Sequence, residues 1–170
     1  MLSQNYKHWI SVEDSRRCVP CEEKHGQVYP RNQPVFPWKL HAFCRCQILR
    51  MTAISAGTAT LDKTKGADWW LKHYGCLPSC YINKAQAQAI GWKKTKGSLS
   101  QLSSVAPGCI IGGDIYKNRN GHLPDAPGRI WYEADINYRS GNRTRERLLY
   151  SNDGLMFVTY DHYQTFAEVI

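Results

Sequence analysis

The spacing of apolar residues predicts helices in the middle of the chain. After residue 66, apolar side chains recur at helical spacing, at Trp69, Trp70, Leu71 and Tyr74. A second short helix is predicted where Asn83 precedes KAQAQAI as an N-cap and Gly91 ends the run. The segment SLSQLSSVAPG, residues 98–108, predicts one or two further helical turns.

From Gly128 onward the pattern changes to a period of two, which is typical of strands. Ile130, Tyr132, Ala134 and Ile136 alternate with Arg129, Trp131, Glu133 and Asp135. We interpret the first set as the core-facing side and the second as the polar side. The SNDG turn at Ser151–Gly154 separates two more apolar strands and predicts a hairpin. Helices followed by strands predict an α+β fold, with N-terminal helices packed on an antiparallel β-sheet.

The beginning of the chain has a different character. Residues 1–50 are rich in proline and cysteine, lack long periodic runs, and cannot bury much core alone. Residues 51–66 are rich in Ala, Thr, Ser and Gly without aromatics, which predicts a linker or an extended tail of the N-terminal segment. We therefore expect a small cysteine-rich N-terminal segment (1–50), a linker (51–66) and a main domain (67–170).

Composition narrows the classes of function. The 170 residues are 42% hydrophobic, which suits a globular protein, and the net charge of +8 favours polyanionic partners. No apolar run approaches the roughly 20 residues that span a bilayer, so no membrane association is expected. The start MLSQNYKHWI lacks the layout of a signal peptide. We expect secretion or delivery only through a phage-like particle or another exporter, and otherwise a cytoplasmic location in the producing or target cell.

Four cysteines in the N-terminal segment have the spacing of a metal site. Cys18 and Cys21 form Cys-x-x-Cys, and Cys44 and Cys46 form Cys-x-Cys. Two close pairs of thiolates can supply the four ligands of a tetrahedral zinc ion. Two disulfides, or four reduced thiols packed as small apolar groups, are the alternatives. The sequence therefore predicts a structural zinc or disulfides here.

This segment resembles the carboxy-terminal end of phage head-morphogenesis proteins of the Mu protein F-like type. The resemblance covers roughly 45 residues and rests on Trp9, Ser11, Asp14, Arg16 or Arg17, Cys18, Cys21 and the Cys44-Arg45-Cys46 triplet. It implies a truncated phage-structural or delivery module, and association with a phage particle or secretion system.

Glu133, a group of arginines and His162 form a candidate catalytic set. Arg143, Arg145 and Arg147 share one face of an extended segment by the same alternation. A base, an acid and fixed cations are what cleavage of a phosphodiester by a neighbouring hydroxyl requires. Alternating charges on a solvent-facing sheet are the alternative interpretation.

Residues from about 67 to 170 resemble the barnase-like microbial ribonucleases. The matching segments, in order, are YINKAQAQAIGW, VAPG, IGGDIYKNRNGHLP, GRIWYEADINY, RLLYS and DHYQTF. The resemblance implies a metal-independent endoribonuclease that cleaves single-stranded RNA through a 2′,3′-cyclic phosphate, without a catalytic cofactor. It implies Glu133 as general base and His162 as general acid.

The same resemblance implies roles for further residues. Arg143 and Arg147 would hold the phosphate and its developing charge, and Lys84 matches the family's active-site lysine. Tyr163 would line the phosphate or base site. Asp135 would partner an active-site arginine, and Asp114 would support the same network.

The expected base-binding loop departs from the family pattern. It contains Tyr116, Asn118, Arg119 and Asn120, and Asn120 stands where the family has an acidic residue. A carboxylate there would accept two hydrogen bonds from guanine, whereas an amide offers one acceptor and a mismatched donor. We therefore expect a weaker or broader base preference.

The two resemblances together predict a toxin effector. RNA is the expected substrate, and a barstar-like acidic immunity protein is the expected partner of a basic cytotoxic nuclease. The alternatives are a phage-head-associated nucleic-acid-binding protein without turnover and a zinc-stabilised structural protein.

Overall fold

A nine-stranded mixed sheet is the framework of the part of the chain that the structure, a computed structural model, describes: residues 1–93, 100–139 and 143–170. Its strands are β1 (Leu2–Ile10), β2 (Val28–Pro30), β3 (Gln47–Ile54), β4 (Tyr81–Ile82), β5 (Ile110–Tyr116), β6 (Trp131–Asp135), β7 (Arg147–Ser151), β8 (Met156–Thr159) and β9 (Ala167–Val169). The strand order is β2-β1-β3-β9-β8-β7-β6-β5-β4.

The helices are short, with α1 at Val19–Lys24, α2 at Ala67–Tyr74, α3 at Lys84–Ala89 and α4 at Ser100–Val105. Single 3₁₀ turns lie at Pro37–Lys39 and Lys63–Lys65. The α+β class is confirmed, and α2, α3 and α4 lie where the sequence predicts helices. Residues 98 and 99 of the third predicted helix lie outside the described residues.

The predicted arrangement of helices on a purely antiparallel sheet is only partly matched. β4 pairs with β5 in parallel, and β3 pairs with β9 in parallel. The second pairing arises because β3 belongs to the N-terminal segment, which extends the sheet instead of standing apart from it. Among the described residues no helix is both long and apolar enough to span a bilayer.

Local sequence signals explain where α2 and α3 end and begin. α2 ends at Gly75, whose φ of +69° is readily adopted only without a Cβ. α3 begins with a capping box, in which the Asn83 side chain accepts from the Gln86 N–H and the Gln86 side chain accepts from the Asn83 N–H. This cap fixes the start of the helix that carries Lys84.

Both faces of the central strands are buried, which corrects the prediction of a polar face on β6. Trp131 and Asp135 lie on the face of Glu133, and they are only 3% and 1% exposed. Glu133 is aligned with Leu149 on β7, which is aligned in turn with Phe157 on β8. On this face Trp131, Leu149 and Phe157 form one core with residues from the N-terminal segment.

The opposite face of the sheet has its own core. It consists of Ala59, Ala67, Ile136, Leu148, Met156, Val158 and Val169. Asp68 of α2 is fully buried here, and it accepts hydrogen bonds from the Gly57 and Ala59 N–H groups at 2.7 and 3.0 Å. This carboxylate therefore ties the chain after β3 to the first residues of α2.

The start of the predicted linker continues the N-terminal segment, as the alternative of an extended tail implies. Met51–Ile54 belong to β3, and Met51 is fully buried in the core with Leu123 and Phe157. The N-terminal segment also contributes Val28, from β2, to that core. The division into residues 1–50 and 67–170 stays a prediction, but the two parts share one sheet and one core.

Candidate active site

Glu133 lies in the middle of β6, and its two carboxylate oxygens have different partners. Lys84 Nζ donates to Oε1 at 2.8 Å, and the Tyr163 hydroxyl donates to Oε2 at 2.7 Å. The Glu133 side chain is 16% exposed. The carboxylate therefore lies in a largely dry position with both oxygens held in place.

The surroundings of Glu133 favour its ionised form. Burial alone would raise its pKa, but hydrogen bonds from Lys84 and Tyr163, with the charges of Lys84 and Arg143, bring the pKa below the usual 4.5. Burial raises the pKa of the Tyr163 hydroxyl, and the charge of Glu133 and the hydrogen bond to it raise that pKa further. Glu133 is thus an ionised carboxylate that can accept a proton near neutral pH, and the neighbouring Tyr163 phenol remains protonated.

The start of α3 positions Lys84. Its backbone N–H faces the Asp114 carboxylate at 3.2 Å, and its Nζ lies 3.5 Å from Asp114 Oδ2. Asp114 comes from β5, the strand next to β6. Lys84 therefore lies between two carboxylates on neighbouring strands.

Asp135 forms ion pairs with two of the three predicted arginines. Arg143 forms a two-point pair with it, from Nε at 2.7 Å and NH2 at 2.6 Å, and the pairing raises the pKa of Arg143. Arg147 Nε lies 3.1 Å from the same carboxylate, while its NH1 donates to the carbonyls of Thr144 and Glu146 at 2.7 Å. Arg145 is exposed outside this group.

The two arginines differ in access to solvent. The side chain of Arg143 is 26% exposed, whereas that of Arg147 is 4% exposed. Arg143 thus has surface to offer a bound anion. Arg147 acts mainly as a fixed positive charge beneath it, and its charge also reaches Tyr163.

A tight loop after β8 holds His162 at the surface. Asp161 fixes the loop, since its carboxylate accepts from the Gln164 and Thr165 N–H groups at 3.0 and 2.9 Å. His162 and Tyr163 both have left-handed backbone angles, with φ of +63° and +71°. The His162 ring is exposed, and its centroid lies 4.9 Å from that of Tyr163. Tyr163 therefore stands between His162 and Glu133.

The predicted base-binding loop faces the same side. Tyr116 stacks on Tyr163, with ring centroids 5.4 Å apart, and burial first, then Glu133, raises the pKa of Tyr116 to about 12. The Asn118 side chain donates to the Leu123 carbonyl at 2.8 Å and accepts from the Leu123 N–H at 3.0 Å, and these two hydrogen bonds close the loop. Its amide is therefore occupied, and only backbone groups of Asn118 remain to contact a base.

The loop and His162 line an open cleft of about 1010 Å³. Arg119, Asn120 and Tyr163 lie on one side. The other side comes from the N-terminal segment, through Glu13, Arg17, Glu22, Glu23, Lys24, His25 and Gln27.

This second wall was missed in the sequence. The charged run Glu22-Glu23-Lys24 is visible in the sequence. Its local pattern does not predict, however, that it faces the base-binding loop about 95 residues later. Gln27 Nε2 donates to the Asn120 carbonyl at 3.3 Å, and the Val28 N–H donates to the His122 carbonyl at 2.6 Å. These contacts hold the N-terminal segment against the base-binding loop.

The four predicted metal-binding cysteines also come together. Cys18, Cys21 and His41 form one group of close donor atoms, and Cys21, Cys44 and Cys46 form another. All seven cysteines, each of them among the described residues, are free thiols. His41 was not predicted as a ligand, although it lies three residues before Cys44.

The predicted site residues thus fall into three places. Lys84, Glu133, Arg143, Arg147 and Tyr163 form the charged centre, and His162 lies beside it across the Tyr163 ring. Tyr116, Asn118, Arg119 and Asn120 form the cleft wall next to it. An ionised carboxylate among fixed cations, beside an exposed histidine, is suited to cleaving a phosphodiester.

The comparisons with known proteins identify the class. The sequence profile of a ribonuclease family matches residues 66–170, so the chain belongs to this ribonuclease family and is an RNA-cleaving enzyme. A ribonuclease of Heyndrickxia coagulans is 50% identical over 111 residues, covering 65% of this chain and 99% of that protein. Ribonucleases of Bacillus intermedius and Bacillus pumilus are each 46% identical over 121 residues, covering 71% of this chain and 73% of theirs.

Proposed function

We propose that this ribonuclease is a metal-independent endonuclease for single-stranded RNA, which forms a 2′,3′-cyclic phosphate. The observation that carries the proposal is the environment of Glu133. This carboxylate is held ionised by Lys84, Tyr163 and Arg143, and Tyr163 connects it to the cleft that His162 also lines. A base and an acid on opposite sides of a phosphate are what in-line attack by a 2′-hydroxyl requires.

In the first step, Glu133 takes the proton of the ribose 2′-hydroxyl. The 2′-oxygen forms a bond to phosphorus, and the bond from phosphorus to the 5′-oxygen breaks. His162, protonated, gives its proton to the departing 5′-oxygen. The products are a 2′,3′-cyclic phosphate and a new 5′-hydroxyl, and hydrolysis of the cyclic phosphate reverses the two roles.

The cations supply charge stabilisation. Arg143 contacts the phosphate, because its guanidinium is anchored by Asp135 and still partly exposed. Arg147 adds a buried positive charge next to Arg143, and Lys84 adds a positive charge next to Glu133, the proposed general base. Such preorganised charges need no rearrangement as negative charge builds on the phosphate oxygens.

We propose that base selection is weaker than a carboxylate at position 120 would give. The backbone carbonyl of Asn120 accepts a hydrogen bond from Gln27. The side-chain amide of Asn120 presents one acceptor and one donor group to a base. Backbone groups of Asn118 and Arg119 are then the main contacts for the base.

In cells, we propose a toxin effector neutralised by an acidic, barstar-like immunity protein. The net charge of +8 and the partly exposed cations Lys84 and Arg143 support such a partner. Delivery through a phage-like particle or another exporter follows from the head-morphogenesis resemblance of residues 1–50. The alternative of a non-enzymatic phage-head or zinc-stabilised structural protein has no support in the cleft.

Two substitutions test the catalytic assignment. Glu133→Gln and His162→Gln should each lower kcat/KM for RNA by about 10²- to 10⁴-fold, the range of general acid–base contributions. Asp125→Asn and His73→Gln change exposed residues outside the cleft and serve as matched controls. Thermal unfolding should remain cooperative in all four variants. Unchanged cleavage by Glu133→Gln or His162→Gln would overturn the assignment.

A further inference from the structure

Five soft metal-binding side chains converge at the start of α1. Cys18 and Cys21 lie at the N-cap and in the first turn of α1, while His41, Cys44 and Cys46 come from the chain just before β3. Cys21 belongs to both groups of donor atoms, so the two groups are adjoining parts of one cluster. Nothing in the ribonuclease chemistry uses these residues.

The spacing of the donor atoms matches a tetrahedral site. His41 Nε2 lies 3.0 Å from Cys21 Sγ and 3.4 Å from Cys18 Sγ, and Cys21 Sγ lies 3.9 Å from Cys44 Sγ. Usual zinc–ligand lengths give edges of about 3.5 Å between nitrogen and sulfur and about 3.8 Å between two sulfurs. An ion between Cys18, Cys21 and His41 would have Cys44 and Cys46, which adjoin Cys21, as the nearest sources of its fourth ligand.

His41 is held in the form that binds a metal. Its Nδ1 lies 2.8 Å from the Ala42 carbonyl oxygen. A carbonyl only accepts, so Nδ1 is the donor in this contact, and Nε2, which faces the two thiols, is the ring nitrogen left to bind a metal. A backbone carbonyl bonded to the far ring nitrogen is the usual support of a zinc-binding histidine.

A disulfide explains this arrangement less well. Cys21 Sγ and Cys44 Sγ are 3.9 Å apart, whereas a bond needs about 2.05 Å. Disulfides would also leave unexplained why His41 Nε2 points at Cys18 and Cys21. Thiolate and imidazole ligands together favour zinc over the hard cations magnesium and calcium.

We propose that Cys18, Cys21, His41 and one thiolate of the Cys44–Cys46 pair bind a single Zn²⁺ ion. His41 thereby replaces one of the four cysteines that the spacing alone suggests. The site fastens the N-terminus of α1 to the chain before β3. The next residues of α1, Glu22 to Lys24, line the cleft, so the ion fixes one wall of the RNA site without touching the reaction. The proposal does not depend on the mechanism of RNA cleavage.

Metal content of the full chain tests the site. Protein purified under reducing conditions should carry about one zinc per chain by native mass spectrometry. Cys21→Ser and the double variant Cys44→Ser/Cys46→Ser should lose the ion. Cys76→Ser, which removes an exposed thiol outside the cluster, should keep it. A chain that binds no zinc, or that retains it in both variants, would overturn the proposal.

The role of His41 has a separate readout that does not depend on stability. His41→Ala should weaken zinc binding by at least about tenfold in a chelator competition, whereas His41→Cys should restore it. With Co²⁺ in place of zinc, His41→Cys should strengthen the thiolate-to-metal absorption band, because one nitrogen ligand becomes sulfur. If His41→Ala binds zinc as tightly as the unaltered chain, and the Co²⁺ spectrum of His41→Cys is unchanged, His41 is not a ligand.

Discussion

The residues around Glu133 illustrate how single contacts set the state of a catalytic group. Burial pushes the Glu133 pKa up, while Lys84, Tyr163 and Arg143 push it down, and the net pKa lies below 4.5. The base therefore stays ionised until the pH falls below that value. The stability that the ionised carboxylate contributes is likewise present above its unfolded pKa and lost as the pH falls through the folded one.

Lys84→Met should move the acidic limb of the pH–rate profile to higher pH. The variant removes a hydrogen bond and a charge, so that burial raises the pKa of Glu133. We also expect kcat/KM at neutral pH to fall by about tenfold or more, the value of one charge-assisted hydrogen bond. The measurement is kcat/KM for a dinucleotide against pH. Lys72→Met, at an exposed position of α2, is the control, and an acidic limb at the same pH in both variants would contradict the account.

Asn120→Glu should sharpen the preference for guanine. A carboxylate accepts two hydrogen bonds from the guanine edge, whereas the amide accepts one and turns a donor towards another donor. We expect the ratio of kcat/KM for guanosine over adenosine dinucleotides to rise by about tenfold, as for one gained hydrogen-bond pair. A panel of dinucleotides measures it. Strict guanine selectivity already present in the unaltered chain would contradict the weaker base preference proposed for Asn120.

Much of the site at this scale could be predicted from the sequence. The alternation along β6 and the family resemblance pointed to Glu133, Arg143 and Lys84, and the structure brings these three together. The polar-face prediction failed because alternation records which side a residue is on, not whether that side is covered. Trp131 is buried in a core with Val28 and Met51, which come far earlier in the sequence, and Asp135 is buried where it pairs with Arg143 and Arg147.

At the scale of elements, a cap of two side chains positions the lysine of the site. Asn83 and Gln86 satisfy the first N–H groups of α3, and Lys84 is the first helical residue. The capping pattern is local, which is why the sequence alone predicted the start of this helix correctly.

Asn83→Ala should destabilise the protein by about 1 kcal/mol, the usual cost of losing an N-cap. Activity should also fall modestly, because the helix start that holds Lys84 frays. Urea unfolding and kcat/KM for RNA measure the two effects. Gln88→Ala, at an exposed position of the same helix, should change neither. Equal stability of the two variants would show that the cap is unimportant.

The start of the predicted linker belongs to the same scale. Residues 51–54 read MTAI, and the segment 51–66 that they open is rich in Ala, Thr, Ser and Gly, as linkers are. Their strand is formed by partners that local sequence does not reveal, since Ala53 and Ile54 are aligned with Glu168 and Val169 of β9. A buried carboxylate, Glu168, accepts hydrogen bonds from Ser3 and Asn5 of β1 and strengthens this junction.

At the scale of the whole molecule, the N-terminal segment and the ribonuclease fold form one structure around the cleft. Gly26 lies against the loop that carries His162, with φ of +76°. A Cβ on Gly26 would lie 2.0 Å from the Gln164 carbonyl oxygen, so no larger residue fits without moving that loop. The chain before α2 therefore supports the position of the proposed acid.

Gly26→Ala should cost both stability and activity. We expect a loss of about 2–3 kcal/mol in the free energy of unfolding, from backbone strain together with overpacking. A fall in kcat/KM should accompany it, because His162 is displaced. Gly75→Ala is the matched control, since Gly75 has a similar φ of +69° with no atom within 4 Å of the added Cβ. That variant should lose only about 1–2 kcal/mol, with activity unchanged. Equal effects on activity would show that the N-terminal segment does not support the His162 loop.

The most direct test of the central claim is the chemistry of the cut ends. The full chain is incubated with single-stranded RNA in excess EDTA, and with a DNA strand of the same sequence. RNA should be cut to fragments ending in 2′,3′-cyclic phosphate with new 5′-hydroxyl ends, and DNA, which lacks the 2′-hydroxyl, should be left intact. Cleavage of DNA, or RNA fragments that carry 5′-phosphates, would contradict the central claim.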